Sequence, residues 1–414
     1  MPEIAFLSDH LHCGLEIPSK CQERLSPSEI SFSAVNTSPN SYIWSGMASI
    51  FSRRLCHTAV SSPATHLSNQ LPDIQFRDSH PARKWTQYDN RPPDIDPSKT
   101  SILLFPGQGA QFVGMGKQLI DIPKVKEMFQ CANEVLRTNL LRLCLEGPQS
   151  KLDQTIHCQP ATYVIALAAA TKLFEDDAEV IRNCVATAGF SLGEITSLVF
   201  AGALTFEQGL QLVRVRAEAM QRACEQIKGA MTSVFVSHDS QLKLAMLSAV
   251  NHCKTHLHME NPECRVANYL YSDCKVIAGN LEAVEFVEQH ADQFSIRRFK
   301  RLPVSGAFHT ALMRPATKPF SNVLSRFEQL QVPRIPVVSA VDVLPYQSAE
   351  GIKRKLSLQL VKPVLWEQTL HALYARPTDA PFPRTVEFGP GKQLGSMLRM
   401  VNRKAFTYYQ SVDV

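Results

Sequence analysis

From Ser101 onward, short apolar runs alternate with stretches in which polar and apolar residues recur at helical spacing; the preceding residues show no sustained period. SILLF at 101–105 reads as a buried strand, and the glycine-rich turn PGQGAQ follows it. A second unit runs through VATAGF, turns at Ser191 and continues into LGEITSLVFAG. There Leu192, Ile195, Leu198 and Val199 share one face, which predicts an amphipathic helix. IPVVSAV at 335–341 and TVEFGPG at 385–391 each read as a buried strand leading into a loop. Repetition of strand and helix predicts an α/β fold with a mainly parallel sheet covered on both faces, α/β-hydrolase-like in outline.

Between residues 229 and 303 the rhythm changes. AMTSVFV, DSQLKLAMLSAV, CRVANYL, DCKVIAG, LEAVEFVEQHA and SIRRFKRL follow one another in the order β-α-β-β-α-β. That order predicts a ferredoxin-like small subdomain. It is inserted into a large subdomain made of residues 99–228 and 304–414, and the cleft between the two is the default position of an active site.

Composition alters this picture mainly at the N-terminus. Residues 1–98 are rich in Ser, Pro and Asn and read as a disordered leader. No acidic residue lies between Glu29 and Asp73, and within that window MASIFSRRLCHTAVSS, beginning at Met47, carries Arg53 and Arg54. This is the composition of a mitochondrial transit peptide. Glu3, Asp9, Glu16 and Glu23 precede it where a targeting segment avoids acids, so the expected start of the working protein is Met47. Over all 414 residues the formal charge is only +5, with no long basic block, which gives nucleic-acid binding little support. No apolar run is long enough to span a bilayer. The eleven cysteines form no CxxC pair and suit reduced thiols.

The strongest chemical signal is GFSLG at 189–193, a serine between glycines where a strand turns into a helix. Small neighbours allow the tight turn that projects a nucleophilic hydroxyl, and the following helix offers N–H groups to an oxyanion. A serine nucleophile needs a base, and His309 in PVSGAFHTALM stands just after the chain returns from the insertion. The histidines of HCKTHLH at 252–258 fit no compact zinc spacing.

FPGQGAQ (105–111), GFSLGE (189–194), VRVRAEAMQ (213–221), SGAFHTALM (305–313), QLVKPVLWEQ (359–368) and EFGPGKQLG (387–395), in that order, resemble the malonyl-CoA:acyl carrier protein transacylases, specifically the stand-alone mitochondrial type. The resemblance covers roughly Ser101 to Val414. It implies Ser191 as nucleophile, His309 as general base and acid, and Arg216 as partner of the malonyl carboxylate. It further implies oxyanion contacts from the backbone N–H groups of Gln108 and Leu192, and an imidazole oriented by the backbone carbonyl of Gln359. Two positions depart from the usual family pattern: Phe190 stands where many relatives have His, and Thr310 where many have Ser.

The implied reaction is ping-pong transfer from malonyl-CoA to the phosphopantetheine thiol of acyl carrier protein, supplying fatty acid synthesis in the mitochondrial matrix. No metal or redox cofactor is expected. An acidic carrier protein would meet the basic residues Arg297 to Arg301, Arg314 and Lys318. Two rival readings remain at this stage: a serine (thio)esterase of the α/β-hydrolase type, which needs an acidic triad member and has no use for Arg216, and a catalytically idle scaffold that binds carrier protein.

Overall fold

A computed structural model describes residues 85–92, 95–304 and 306–414. The expected transit segment and the start at Met47 lie outside the described residues.

The larger sheet contains β1 (Ser101–Phe105), β2 (Cys184–Gly189), β7 (Val337–Val338), β9 (Arg384–Glu387) and β10 (Tyr409–Ser411). Their order is β10-β9-β1-β2-β7, and every neighbouring pair is parallel. Alternate residues of β1 feed two cores: Leu103 and Phe105 enter one, Ile102 and Leu104 the other. Covering both faces explains why SILLF is apolar without interruption. Helices α1 (Thr155–Asp176), α2 (Leu192–Phe200), α3 (Phe206–Gln226) and α6 (Arg314–Arg326) supply the first core. Helices α8 (Trp366–Tyr374) and α9 (Gln393–Val401) supply the second.

Two elements of this sheet differ from expectation. All nine residues of α2 are buried, so it is not amphipathic. The polar residues of its sequence are inside the protein, and Ser197 Oγ satisfies itself by donating to Gly193 O at 2.9 Å. The strand expected at 335–341 shortens to Val337–Val338, because the chain turns back and Val338 forms an antiparallel bridge with Pro345.

The smaller sheet contains β3 (Gly229–Phe235), β4 (Cys264–Tyr271), β5 (Cys274–Asn280), β6 (Arg298–Arg301) and β8 (Val364–Leu365), in the order β6-β3-β5-β4-β8. Helix α4 (Leu242–Thr255) lies in sequence between β3 and β4, and α5 (Leu281–Gln289) between β5 and β6. Pairing is antiparallel throughout except for β8, which runs parallel to β4. This layer is less separate than an insertion of 229–303 implies, since β8 comes from well beyond residue 303. One face, with Val234, Val266 and Ile277, forms a core with α4 and α5. The opposite face, with Met231, Ala267, Val276 and Ala278, joins the main core.

The folded part also begins before residue 99. Thr86 and Gln87 are buried, Trp85 packs on the second core, and Gln87 N–H donates to Ala372 O at 2.9 Å, pinning this segment to α8. Its weak periodicity hid it within the polar leader. Among the described residues, no helix is long and apolar enough to cross a membrane.

Candidate active site

β1 and β2 are neighbours in register, with Phe105 opposite Gly189, so the loops carrying Gln108 and Ser191 leave the same edge of the sheet. In open parallel sheets this carboxyl edge is where crevices form. Ser191 has φ 54° and ψ −101°, a backbone state that side chains rarely adopt. The turn is tight enough that a β-carbon on Gly189 would lie 1.8 Å from the Gly193 carbonyl carbon, and one on Gly193 2.1 Å from Phe105 O. Only glycine fits at both places, and that closeness aims the Ser191 hydroxyl away from the strand. Leu192 N–H occupies the first helical position, where no intrahelical acceptor is in reach.

Ser191 Oγ lies 2.9 Å from His309 Nε2, across 118 residues of sequence. His309 Nδ1 lies 2.8 Å from the main-chain oxygen of Gln359. Gln359 ends helix α7 (Ala349–Gln359), and the last carbonyls of a helix lack intrahelical donors, so this oxygen is free to receive the imidazole N–H. The bond makes Nδ1 the protonated nitrogen and leaves Nε2 as acceptor for the serine. Thr310 preserves the hydroxyl function of a serine at its position: its Oγ1 donates to Ala307 O at 2.7 Å and accepts from Leu312 N–H at 3.2 Å, closing the turn behind the histidine.

Arg216 comes from the middle of α3, whose start is fixed by a capping box between Thr205 and Gln208. Two residues along a helix turn about 200°, so Arg214 and Arg216 face apart. Arg214 binds Val135 O on the outer side at 2.8 Å, while Arg216 is only 1% exposed. Arg216 Nη2 donates to Ser191 Oγ at 2.9 Å and to Gln359 Oε1 at 3.1 Å, and Nη1 donates to Gln159 Oε1 at 2.8 Å. These partners are all neutral. Arg216 makes no ion pair among the described residues, and its Nε is buried without a partner there. A buried guanidinium in such surroundings is short of an anion. Burial pulls its pKa down to about 10, against the opposing pull of Glu194.

Residues 102–382 match the model of the acyl transferase domain family. The chain belongs to that family. It is 49% identical over 318 residues to a mouse protein named mitochondrial malonyl-CoA-acyl carrier protein transacylase, covering 77% of this chain and 83% of the mouse protein. A Drosophila melanogaster protein named as the probable mitochondrial enzyme is 52% identical over 313 residues, covering 76% and 82% respectively. Among solved structures, the malonyl CoA-acyl carrier protein transacylase of Coxiella burnetii aligns with a TM-score of 0.68 at 30% identity, over 77% of this chain and 95% of that one.

The site of this acyltransferase also holds residues that the sequence did not single out. Glu194 is fully buried, and its Oε2 accepts from Gln359 Nε2. Its Oε1 accepts from Tyr346 OH and from Ala340 N–H at 3.3 Å. Burial pushes the Glu194 pKa up, while the hydrogen bonds from Tyr346 and Gln359 hold it back. Gln159, which steadies Arg216, lies in α1 and is likewise fully buried. Of the residues that the sequence did single out, Gln108 sits at the margin, with Nε2 donating to Thr155 Oγ1 at 3.2 Å and Oε1 buried without a partner among the described residues. Phe190 is a packing residue, its ring meeting Trp366 edge-on at 5.4 Å.

Proposed function

We propose that this chain transfers a malonyl group from malonyl-CoA to the phosphopantetheine thiol of acyl carrier protein by a ping-pong route through Ser191. The observation that carries this reading is the buried Arg216 guanidinium, short of an anion and 2.9 Å from the Ser191 hydroxyl, which itself lies 2.9 Å from the His309 imidazole. A hydroxyl and a base suffice for acyl transfer in general. The guanidinium adds a demand for an acyl group that ends in a carboxylate, which malonyl satisfies and acetyl does not. The names of the relatives point to the same substrate pair.

In the first half-reaction the Ser191 proton passes to His309 Nε2 as Oγ bonds to the thioester carbon, and the carbonyl oxygen takes the negative charge. The backbone N–H groups of Gln108 and Leu192 receive that oxyanion. The C–S bond then breaks, and His309 returns the proton to the departing coenzyme A sulfur. In the second half-reaction His309 takes the proton from the pantetheine thiol as its sulfur attacks the malonyl ester, and gives it back to Ser191 Oγ. These residues carry every proton, so the reaction needs no metal or redox cofactor.

An esterase of the α/β-hydrolase kind would pair the imidazole with a carboxylate; here the partner of Nδ1 is a main-chain carbonyl. We assign the smaller sheet to a ferredoxin-like subdomain and the working location to the mitochondrial matrix, the latter supported by relatives named mitochondrial. For the carrier protein, Arg297, Arg298, Lys300, Arg314 and Lys318 are the exposed candidates, whereas Arg301 is engaged by Glu288, with its Nε donating to Oε1 at 2.8 Å.

The test follows labelled malonyl-CoA and acetyl-CoA through wild type and Ser191→Ala in the presence of holo acyl carrier protein. Malonyl thioester on the carrier, lost in Ser191→Ala, is the expected product. Free malonate as the main product would replace this reading with the esterase, and absence of any captured acyl group would leave the idle scaffold.

A further inference from the structure

Gln359 joins four residues of the site. Its main-chain oxygen takes the His309 N–H, its side-chain Oε1 takes the Arg216 N–H at 3.1 Å, and its Nε2 donates to Ser191 O at 3.0 Å and to Glu194. An amide can turn over, exchanging oxygen and nitrogen. Turned over here, it would set its oxygen against the Glu194 carboxylate and its NH2 against the guanidinium. Glu194 accepts from Tyr346 OH and Ala340 N–H on Oε1 and presents Oε2 as an acceptor to the amide, so it holds the amide in one orientation. Glu194 is itself held from the far side by Tyr346 and Ala340.

We propose that Glu194 is a positioning residue that sets acyl selectivity: by fixing the Gln359 amide it fixes the plane in which Arg216 meets the acyl carboxylate. The inference rests on the reading of Arg216 given above. It predicts an uneven effect, because the histidine contact comes from the Gln359 main chain and does not depend on how the amide is turned. Loss of Glu194 therefore weakens recognition of the malonyl carboxylate while leaving the base in place.

Glu194→Gln keeps the shape but cannot accept at both ends; its NH2 must face either Ala340 N–H or Gln359 Nε2. The expected result is a KM for malonyl-CoA raised about tenfold, a similar fall in the malonyl-to-acetyl ratio of kcat/KM, and kcat within a few fold of wild type. Tyr346→Phe, which removes one donor to Glu194, is expected to shift the same ratio in the same direction by less. If Glu194→Gln does not fold, Tyr346→Phe decides alone. An unchanged malonyl-to-acetyl ratio in the folded variants, even with a lowered Tm, would overturn the proposal and reduce Glu194 to a structural carboxylate. Failure of the underlying function is distinguishable, because wild type would then deliver no malonyl group to holo acyl carrier protein, releasing free malonate or capturing no acyl group at all.

Discussion

Burial, and after it the positive Arg216, hold the His309 imidazole down at about 4, with the Gln359 carbonyl opposing them. A base is competent when unprotonated, so a depressed pKa extends its working range toward acid. The kcat/KM profile, which reports the free enzyme, should keep its plateau until the pH falls to about 4 rather than breaking near 6.5. When a malonyl carboxylate sits on Arg216, the repulsion on His309 is offset, and the acid limb of kcat should lie above that of kcat/KM. An acid limb of kcat/KM at an ordinary histidine value would contradict this description of the free site. Arg216→Ala, which leaves the incoming carboxylate buried without a partner at a cost of ~3 kcal/mol or more, should lower kcat/KM for malonyl-CoA by more than about a hundredfold. Acetyl-CoA should suffer far less, and equal loss for both substrates would deny Arg216 its role in selection.

At the scale of elements, the strand-loop-helix unit around Ser191 was legible because its requirements are local: two glycines, an apolar strand before and a helix after. Glu194 was not. An acid in the first turn of a helix ordinarily faces solvent and the helix dipole, and only the burial of α2 on all sides turns it into an internal carboxylate. Arg216 could be preferred over Arg214 through the family motif but not through periodicity, since either could have faced inward. The two-residue strands β7 and β8 exist through pairing with distant chain and leave no local signature. The segment at 85–92 tests the same point. A chain beginning at residue 99 loses the Trp85 and Gln87 contacts to α8 that a chain beginning at residue 85 keeps. It should therefore unfold at a lower temperature, by roughly 2–4 °C per kcal/mol lost, and equal Tm values would show that the segment adds nothing.

On the scale of the whole molecule, the two sheets share a core, and this governs how the site is held. Met231, Val276 and Ala278 from the smaller sheet lie in the same cluster as Phe105, Leu192 and Met220 from the elements that carry or flank Ser191 and Arg216. The smaller sheet therefore fixes the site instead of swinging freely above it. Residues 229–303 alone would expose that apolar face and leave β4 without β8, so the isolated segment should show no cooperative unfolding transition. A sharp one would mean that it stands by itself.

The central claim is that a carboxylate-bearing acyl group passes through Ser191 under the joint hold of His309 and Arg216. Its most direct test is peptide mapping by mass spectrometry after brief exposure of the enzyme to malonyl-CoA, with and without holo acyl carrier protein. One malonyl group on the peptide containing Ser191, removed when carrier protein is added and absent in Ser191→Ala, is the result predicted. Malonyl found on another residue, or an ester that carrier protein does not discharge, would contradict the account.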